Sequence, residues 1–301
     1  MSVKAKKSIK TSKQDTLFYA VIYAVILLIL IILLWPLICI VSSSLSSKEA
    51  VMAGRVFLLP VNFSLEGYKA VFQTNEVLIG FRNTVLYTLF GTMLNVALTL
   101  IAAYPLSRKD LPYRRMWSFI FTFTMIFSGG MIPTYMVVNK LGLMNSPLAM
   151  ILPTAMSVYN LMIARTFMEN SIPSELLEAA RVDGCDDIAY FWKILLPLSK
   201  PVIAVITLYY AVAHWNSYFN AFLYITDAKL NPLQIVLRNI LLANQIDTAM
   251  TTDFDTMTSK QGLADVLKYS LIVVSTLPVM IMYPFVQKYF TKGVMIGAVK
   301  G

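Results

Sequence analysis

Polar side chains stand inside long apolar runs of this sequence, and their spacing is regular. Thr84, Thr88, Thr92, Asn95 and Thr99 follow at steps of four, four, three and four, so a helix would carry all five on one face. Pro153, Ser157 and Asn160 repeat the pattern more briefly, and a third run crowds Tyr210, His214, Trp215, Asn216, Ser217, Tyr218 and Asn220. Such groups suit a polyhydroxylated solute: amides and hydroxyls meet its OH groups, and aromatic faces cover its C–H surfaces. The same groups also pack helices together, with threonines bonded back to their own helix and Trp215 and Asn216 satisfying backbone at a helix break. An unpaired amide in hydrocarbon costs roughly several kcal/mol, so the stripe must face protein or water.

Covalent and redox chemistry have no comparable footing. His214 is the only histidine and has no carboxylate or cysteine beside it, so it reads as a hydrogen-bonded packing residue. Cys39 and Cys185 fall at opposite ends of the apolar architecture and cannot pair within the chain, and no metal-ligand spacing occurs. Ser128-Gly129-Gly130 has neither the preceding strand nor the following Lys-Ser or Lys-Thr of a phosphate-binding loop; it reads as a helix bend or close packing point. No cofactor or nucleotide site is expected in this chain.

The elements that must position these residues are apolar helices. The chain is 57% hydrophobic and 14% charged, against about 25% charged in soluble domains, and its mean hydropathy is +0.67. Six runs approach the roughly 20 residues a bilayer requires: Leu17–Val41, Thr84–Leu106, Met116–Val138, Pro147–Ala164, Pro201–Ile225 and Tyr269–Gln287. None contains Asp, Glu, Lys or Arg. The first is too long for a cleaved leader and reads as a retained helix.

The formal charge of +9 follows the same plan. If the runs alternate across a membrane, residues 1–16, 107–115, 165–200 and 288–301 share a side and carry sixteen Lys and Arg. Residues 42–83, 139–146 and 226–265 carry eight on the other side. That bias sets both termini in the cytoplasm and accounts for the basic balance without nucleic acid. Residues 1–16 form a basic tail, 42–83 an external loop with a short helix near Ser64–Phe72, and 226–265 a polar external loop bearing Asp247, Asp253, Asp255 and Asp265.

One polar segment interrupts the apolar plan. Pro173 can open a short helix, Glu175 and Glu178 sit at its positive end, and Gly184 can stop it in a left-handed conformation. Asp186 or Asp187 can then cap a second amphipathic helix running toward Pro197. Glu178-Ala179-Ala180, Gly184 and Ile194-x-Leu196-Pro197 resemble the EAA loop of importer-type ABC permeases. His214-Trp215-Asn216 is similar to an element that follows that loop in carbohydrate importers. The ending Gly297-Ala298-Val299-Lys300-Gly301 resembles the tail of the shorter permease in the maltose-type group. The wider ending from Lys292 looks like a branch associated with oligosaccharides from complex polysaccharides.

The resemblance implies an all-α, six-span, type I ABC importer permease with a core at residues 84–290 and a coupling segment at 173–197. Leu177, Glu178, Ala179, Ala180, Asp183 and Gly184 would meet an ATPase, with Leu177, Ala180 and Gly184 packed in its groove. The tail 291–301 would extend between ATPase subunits through Gly297, Val299, Lys300 and Gly301. Thr88, Thr92, Asn95, Asn160, Trp215 and Asn216 would line a sugar path. Implied partners are a second, non-identical permease, two ATPase subunits that bind ATP and Mg, an extracellular sugar-binding protein and an oligosaccharide. The alternatives are a permease for a non-carbohydrate solute and a secondary sugar facilitator.

Overall fold

The computed structural model describes residues 13–246 and 254–298, which form helices joined by turns and loops, with no strand among them. Helices α1 (Lys13–Ser44), α2 (Lys48–Met52) and α3 (Glu66–Gln73) precede the long α4 (Asn75–Ser107). Then come α5 (Arg114–Ile126), α6 (Met131–Lys140), α7 (Leu148–Ile151) and α8 (Val158–Ser171). Helices α9 (Glu175–Val182) and α10 (Asp187–Tyr190) lead through a π-helical turn at Phe191–Leu195 and α11 (Leu196–Leu198) into α12 (Lys200–Trp215). Last are α13 (Phe219–Tyr224), α14 (Leu233–Ile246) and α15 (Phe254–Ala298).

Among the described residues, three helices are long and apolar enough to cross a membrane: α1 from Gln14, α4, and Gly262–Pro284 of α15. The other three apolar runs are broken. Helices α5 and α6 meet at 108°, Leu148–Thr154 and α8 at 53°, and Asp187–Leu198 and α12 at 80°, so the count reaches six only if each bent pair is one span. The breaks fall where the backbone invites them. Gly130 takes φ +85° between α5 and α6, a conformation that a side chain disfavours. Pro201 lies in the first turn of α12, where a missing N–H is harmless. The run Pro201–Ile225 also divides, because α12 stops at Trp215 and α13 begins at Phe219.

Two other expectations need correction. The segment 226–265 is not simply a polar loop: it holds α14, whose Leu233, Ile235 and Val236 are buried. Acidic residues on either side mask that short apolar helix in a composition window. The tail from Lys292 is helical through Ala298 rather than an extended strand, Gly293 and Gly297 being carried inside α15. Val299, Lys300 and Gly301, like residues 1–12, Asp247 and Asp253, lie outside the described residues.

The chain divides into two compact units, residues 1–70 with 248–273 and residues 71–247 with 274–301. In the first, the end of α1 is tied by Ser42 Oγ donating to the Leu58 carbonyl at 2.7 Å and by Tyr68 OH donating to Ser44 Oγ at 2.8 Å, the Ser44 proton being given to the Val41 carbonyl. In the second, α4 is the central axis and packs on α8, α12 and α14. Gly80 permits the close approach of α14 and Gly91 that of α12: a Cβ at residue 91 would lie 2.5 Å from His214 Nε2. Leu100, Ala103, Leu161, Ala164, Ile206 and Tyr210 fill the core between α4, α8 and α12.

Candidate functional site

The segment from Pro173 to Pro197 forms as its sequence dictates. Helix α9 ends in a hydrogen-bonded left-handed stop: Cys185 N–H donates to the Ala180 carbonyl at 2.8 Å and Gly184 N–H to Arg181 at 3.0 Å, with Gly184 at φ +76°. Asp186 then caps α10, accepting from Ala189 N–H at 2.7 Å. The orientation departs from expectation. Leu177 and Ala180 face the core of this chain, with Ala180 buried and Leu177 half-buried. Helical periodicity forces this, because one face of so short a helix must seal the end of the core. Glu178, Ala179, Asp183 and Gly184 are exposed, as are Val182 at 88% and Ile188 at 70%. Charged and apolar side chains thus share an outer face that stays open among the described residues.

A charge network fixes α9 and α10 to the end of α4. Arg108 clamps Asp110 through two hydrogen bonds of 2.8 and 2.6 Å and reaches Asp187 at 2.6 Å, while Arg181 of α9 meets Asp110 at 3.1 Å. Tyr104 receives a hydrogen bond from Arg108 at 3.0 Å and packs its ring on Tyr190 and Phe191. Arg108, foremost, and then Arg181 hold the Asp110 carboxyl well below the usual carboxylate range. Sequence reading used Arg108 only as topological charge and missed Asp110, because the four partners are separated by up to 79 positions (187 − 108).

Asp110 has half its side chain in solvent, so D110N is expected to cost only about 1 kcal/mol of stability. A depressed carboxylate stabilises the fold above its unfolded pKa, near 4, and loses that contribution as the pH falls through its folded value. The penalty measured by thermal unfolding should therefore be equal at about pH 7.5 and pH 5.5. A penalty that shrinks between those values would contradict the assignment.

At the middle of the second unit, α8 and α12 enclose a polar cavity of about 360 Å³ with α4. Asn95, Ser157, Asn160, Tyr209, His214 and Asn220 are among its walls. Asn95 is 1% exposed, and its amide nitrogen donates to the Thr154 carbonyl at 2.9 Å and to His214 Nε2 at 3.1 Å. Both amide hydrogens are thereby used, the imidazole proton must sit on Nδ1, and Asn95 Oδ1 is left without a protein partner. Ser157 N–H donates to Tyr210 OH at 3.0 Å, and Tyr210 shares a proton with Thr99 at 2.6 Å. The cavity can thus offer tyrosine, serine and asparagine side chains along its wall, with Asn95 held rigidly behind them.

The stripe of α4 does not line one open channel. It is the packed face of the helix, whereas Leu89 on another face is 53% exposed. Thr84 accepts from Leu233 N–H at 2.8 Å, and Thr99 is spent on Tyr210. Thr88 and Thr92 border a different, mostly apolar cavity of about 660 Å³ that also holds Leu89, Val96 and Trp215. Their hydroxyls have no partner there. Trp215 is buried and donates Nε1–H to the Ser275 carbonyl at 2.7 Å. Asn216 is exposed and donates back to Val212 at 3.0 Å, closing the end of α12. The structure therefore joins Asn95 with Asn160, and Thr88 and Thr92 with Trp215; it does not unite all six. Among the described residues no group of three or more His, Cys, Asp or Glu is arranged to hold a metal.

An all-helical chain with a gathered polar cavity and an exposed two-helix segment at a charged end defines a membrane transport subunit. It belongs to the family described as binding-protein-dependent transport system inner membrane component, whose profile matches residues 95–296. It is 42% identical over 289 residues to the polygalacturonan/rhamnogalacturonan transport system permease protein YtcP of Bacillus subtilis, covering 96% of this chain and 100% of the relative. Protein LplC of the same organism is 41% identical, covering 88% of this chain and 89% of that one. Among solved structures, a subunit of a bacterial ABC transporter involved in import of the acidic polysaccharide alginate aligns with TM-score 0.85 at 34% identity, over 94% of this chain and 100% of its own.

Proposed function

We propose that this chain is one of two non-identical permease subunits of an ATP-driven importer and forms half of a path for an oligosaccharide released from a complex polysaccharide. The observation that carries the reading is the α9–Gly184–α10 segment. Its inner face is sealed to the core and salt-bridged to the end of α4, while its outer face exposes Val182 and Ile188 together with Glu178 and Asp183. A rigid element of that kind suits a docked ATPase. Glu178, Ala179, Asp183 and Gly184 meet the ATPase, and Leu177 and Ala180 pass the movement inward. The polysaccharide substrates named for relatives support the carbohydrate assignment.

In this reading each bent helix pair is one span, giving six, and the charge bias puts both termini in the cytoplasm. The first span follows a basic tail, and the core extends over 84–290. The subunit is not catalytic: two ATPase subunits bind ATP and Mg, and an extracellular binding protein delivers the sugar. Gly297, Val299, Lys300 and Gly301 contact the ATPase pair. Asn95 and Asn160 serve the polar side of the path, and Thr88, Thr92, Trp215 and Asn216 its border with the second permease. ATP closes the ATPase dimer, the coupling segments follow, and the Arg108–Asp110–Arg181–Asp187 network carries their displacement to α4.

The complex reconstituted with its binding protein in proteoliposomes is expected to accumulate an oligogalacturonide only with ATP. Equilibration without ATP would mark a facilitator instead, and stimulation of ATP hydrolysis solely by a non-carbohydrate ligand would replace the sugar assignment. Within that assay N95L should lower uptake about tenfold while leaving binding-protein affinity unchanged, since it removes the hydrogen bonds that hold the cavity wall at Thr154 and His214, about 1 kcal/mol each. Full uptake by N95L would remove Asn95 from the path.

A further inference from the structure

A third cavity, of about 470 Å³, lies between α5 and α8, and its chemistry is unlike the other two. Arg114, Arg115, Ser118, Phe119, Arg165 and Glu169 stand in its wall. Glu169 is the single carboxylate facing three guanidinium groups. It accepts from Arg114 at 2.5 Å, and Arg165 reaches the same oxygen at 3.5 Å. Arg114 also donates Nε–H to the Leu106 carbonyl at 3.0 Å, which anchors the cavity at the end of α4 that carries the charge network. Arg115 makes no ion pair among the described residues. Arg165 Nε and Ser118 Oγ are buried without a partner. Buried donors of this kind are seldom left unsatisfied, and two of them beside an excess of positive charge call for an oxyanion.

The neighbouring surface narrows the choice of anion. No residue of α5 is buried, and Met116, Phe119, Ile120, Phe123 and Ile126 expose large apolar side chains along it. Trp117, 45% exposed, stands within one turn of Arg114 and Arg115, at the polar boundary where indole rings concentrate in membranes. A ligand with a charged head and an apolar body fits both features at once, as basic pockets between membrane helices do for anionic headgroups.

We propose that the α5–α8 cavity binds the phosphate of an anionic phospholipid, with the acyl chains lying along the exposed face of α5. Arg115 and Arg165 hold the phosphate oxygens, Ser118 donates its hydroxyl, and Glu169 keeps Arg114 in place. The site is independent of the sugar path.

The test uses the assembled importer purified in a neutral detergent and exchanged against phosphatidylglycerol, phosphatidylcholine or inorganic phosphate, with retained lipid counted by native mass spectrometry. Phosphatidylglycerol should be retained in preference to phosphatidylcholine, and R115Q should lower its retention about fivefold, the effect of one arginine near a headgroup. R165Q should do the same, whereas R55Q in an exposed turn should change nothing. Equal retention of the two lipids, or retention unaffected by both R115Q and R165Q, overturns the proposal. Displacement of the lipid by inorganic phosphate at equal concentration would assign the site to free phosphate and overturn the lipid. Absence of phosphatidylglycerol from the assembled complex would show α5 covered by the second permease and would overturn the lipid as well.

Discussion

G184W should leave membrane insertion and assembly intact and abolish most transport, with ATP hydrolysis no longer tied to uptake. Gly184 has φ +76°, and within the chain nothing lies within 4 Å of a Cβ built there. The intrinsic penalty is therefore the left-handed backbone, about 1–2 kcal/mol for an ordinary residue. The indole would project from the exposed outer face, where overpacking a docked groove costs about 1–3 kcal/mol more. Together these predict an uptake loss on the order of tenfold to a thousandfold. G184N is the informative companion, because asparagine tolerates the left-handed region and is smaller, so it should retain much of the activity. Normal uptake by a normally assembled G184W complex would show that this turn does not dock.

G91L should be the most destabilising single substitution in the interior of α4. A Cβ there would meet the His214 ring at 2.5 to 2.6 Å, and a larger side chain forces α4 and α12 apart at the level of Asn95. Overpacking of about 1–3 kcal/mol would be joined by loss of the Asn95–His214 hydrogen bond, about 1 kcal/mol. The melting temperature in detergent should fall clearly, and G91A should show a smaller fall. Combining G91A with H214A removes the clashing ring, so the double variant should be more stable than the sum of the two single losses allows. Strict additivity would mean that Gly91 and His214 do not share a packing contact.

Local patterning made much of this protein legible. The apolar runs announce helices because each is long and uncharged, and the turn at Gly184 is announced by a glycine that must take positive φ between two capped segments. Asp186 was readable as a cap for the same reason: its partner is Ala189, three residues away. The packing role of His214 was also readable, since no other titratable group stands near it in sequence.

Facing and partnership were another matter. Periodicity put Thr84, Thr88, Thr92, Asn95 and Thr99 on one side of α4 but held no information about what that side meets. The tertiary structure turned it inward and divided it between α14, an apolar cavity and the Asn95–His214 pair. It likewise turned Leu177 and Ala180 of α9 toward the core, leaving Val182 and Ile188 outside. The Arg108–Asp110–Arg181–Asp187 network and the cationic cavity of α5 and α8 were invisible to spacing rules, because each joins segments far apart in the chain. Helix formation is governed by contacts three and four residues apart, which a sequence displays directly. Which helix faces meet is decided by close packing over the whole unit, and small residues such as Gly80 and Gly91 acquire their meaning only when a neighbouring helix presses against them.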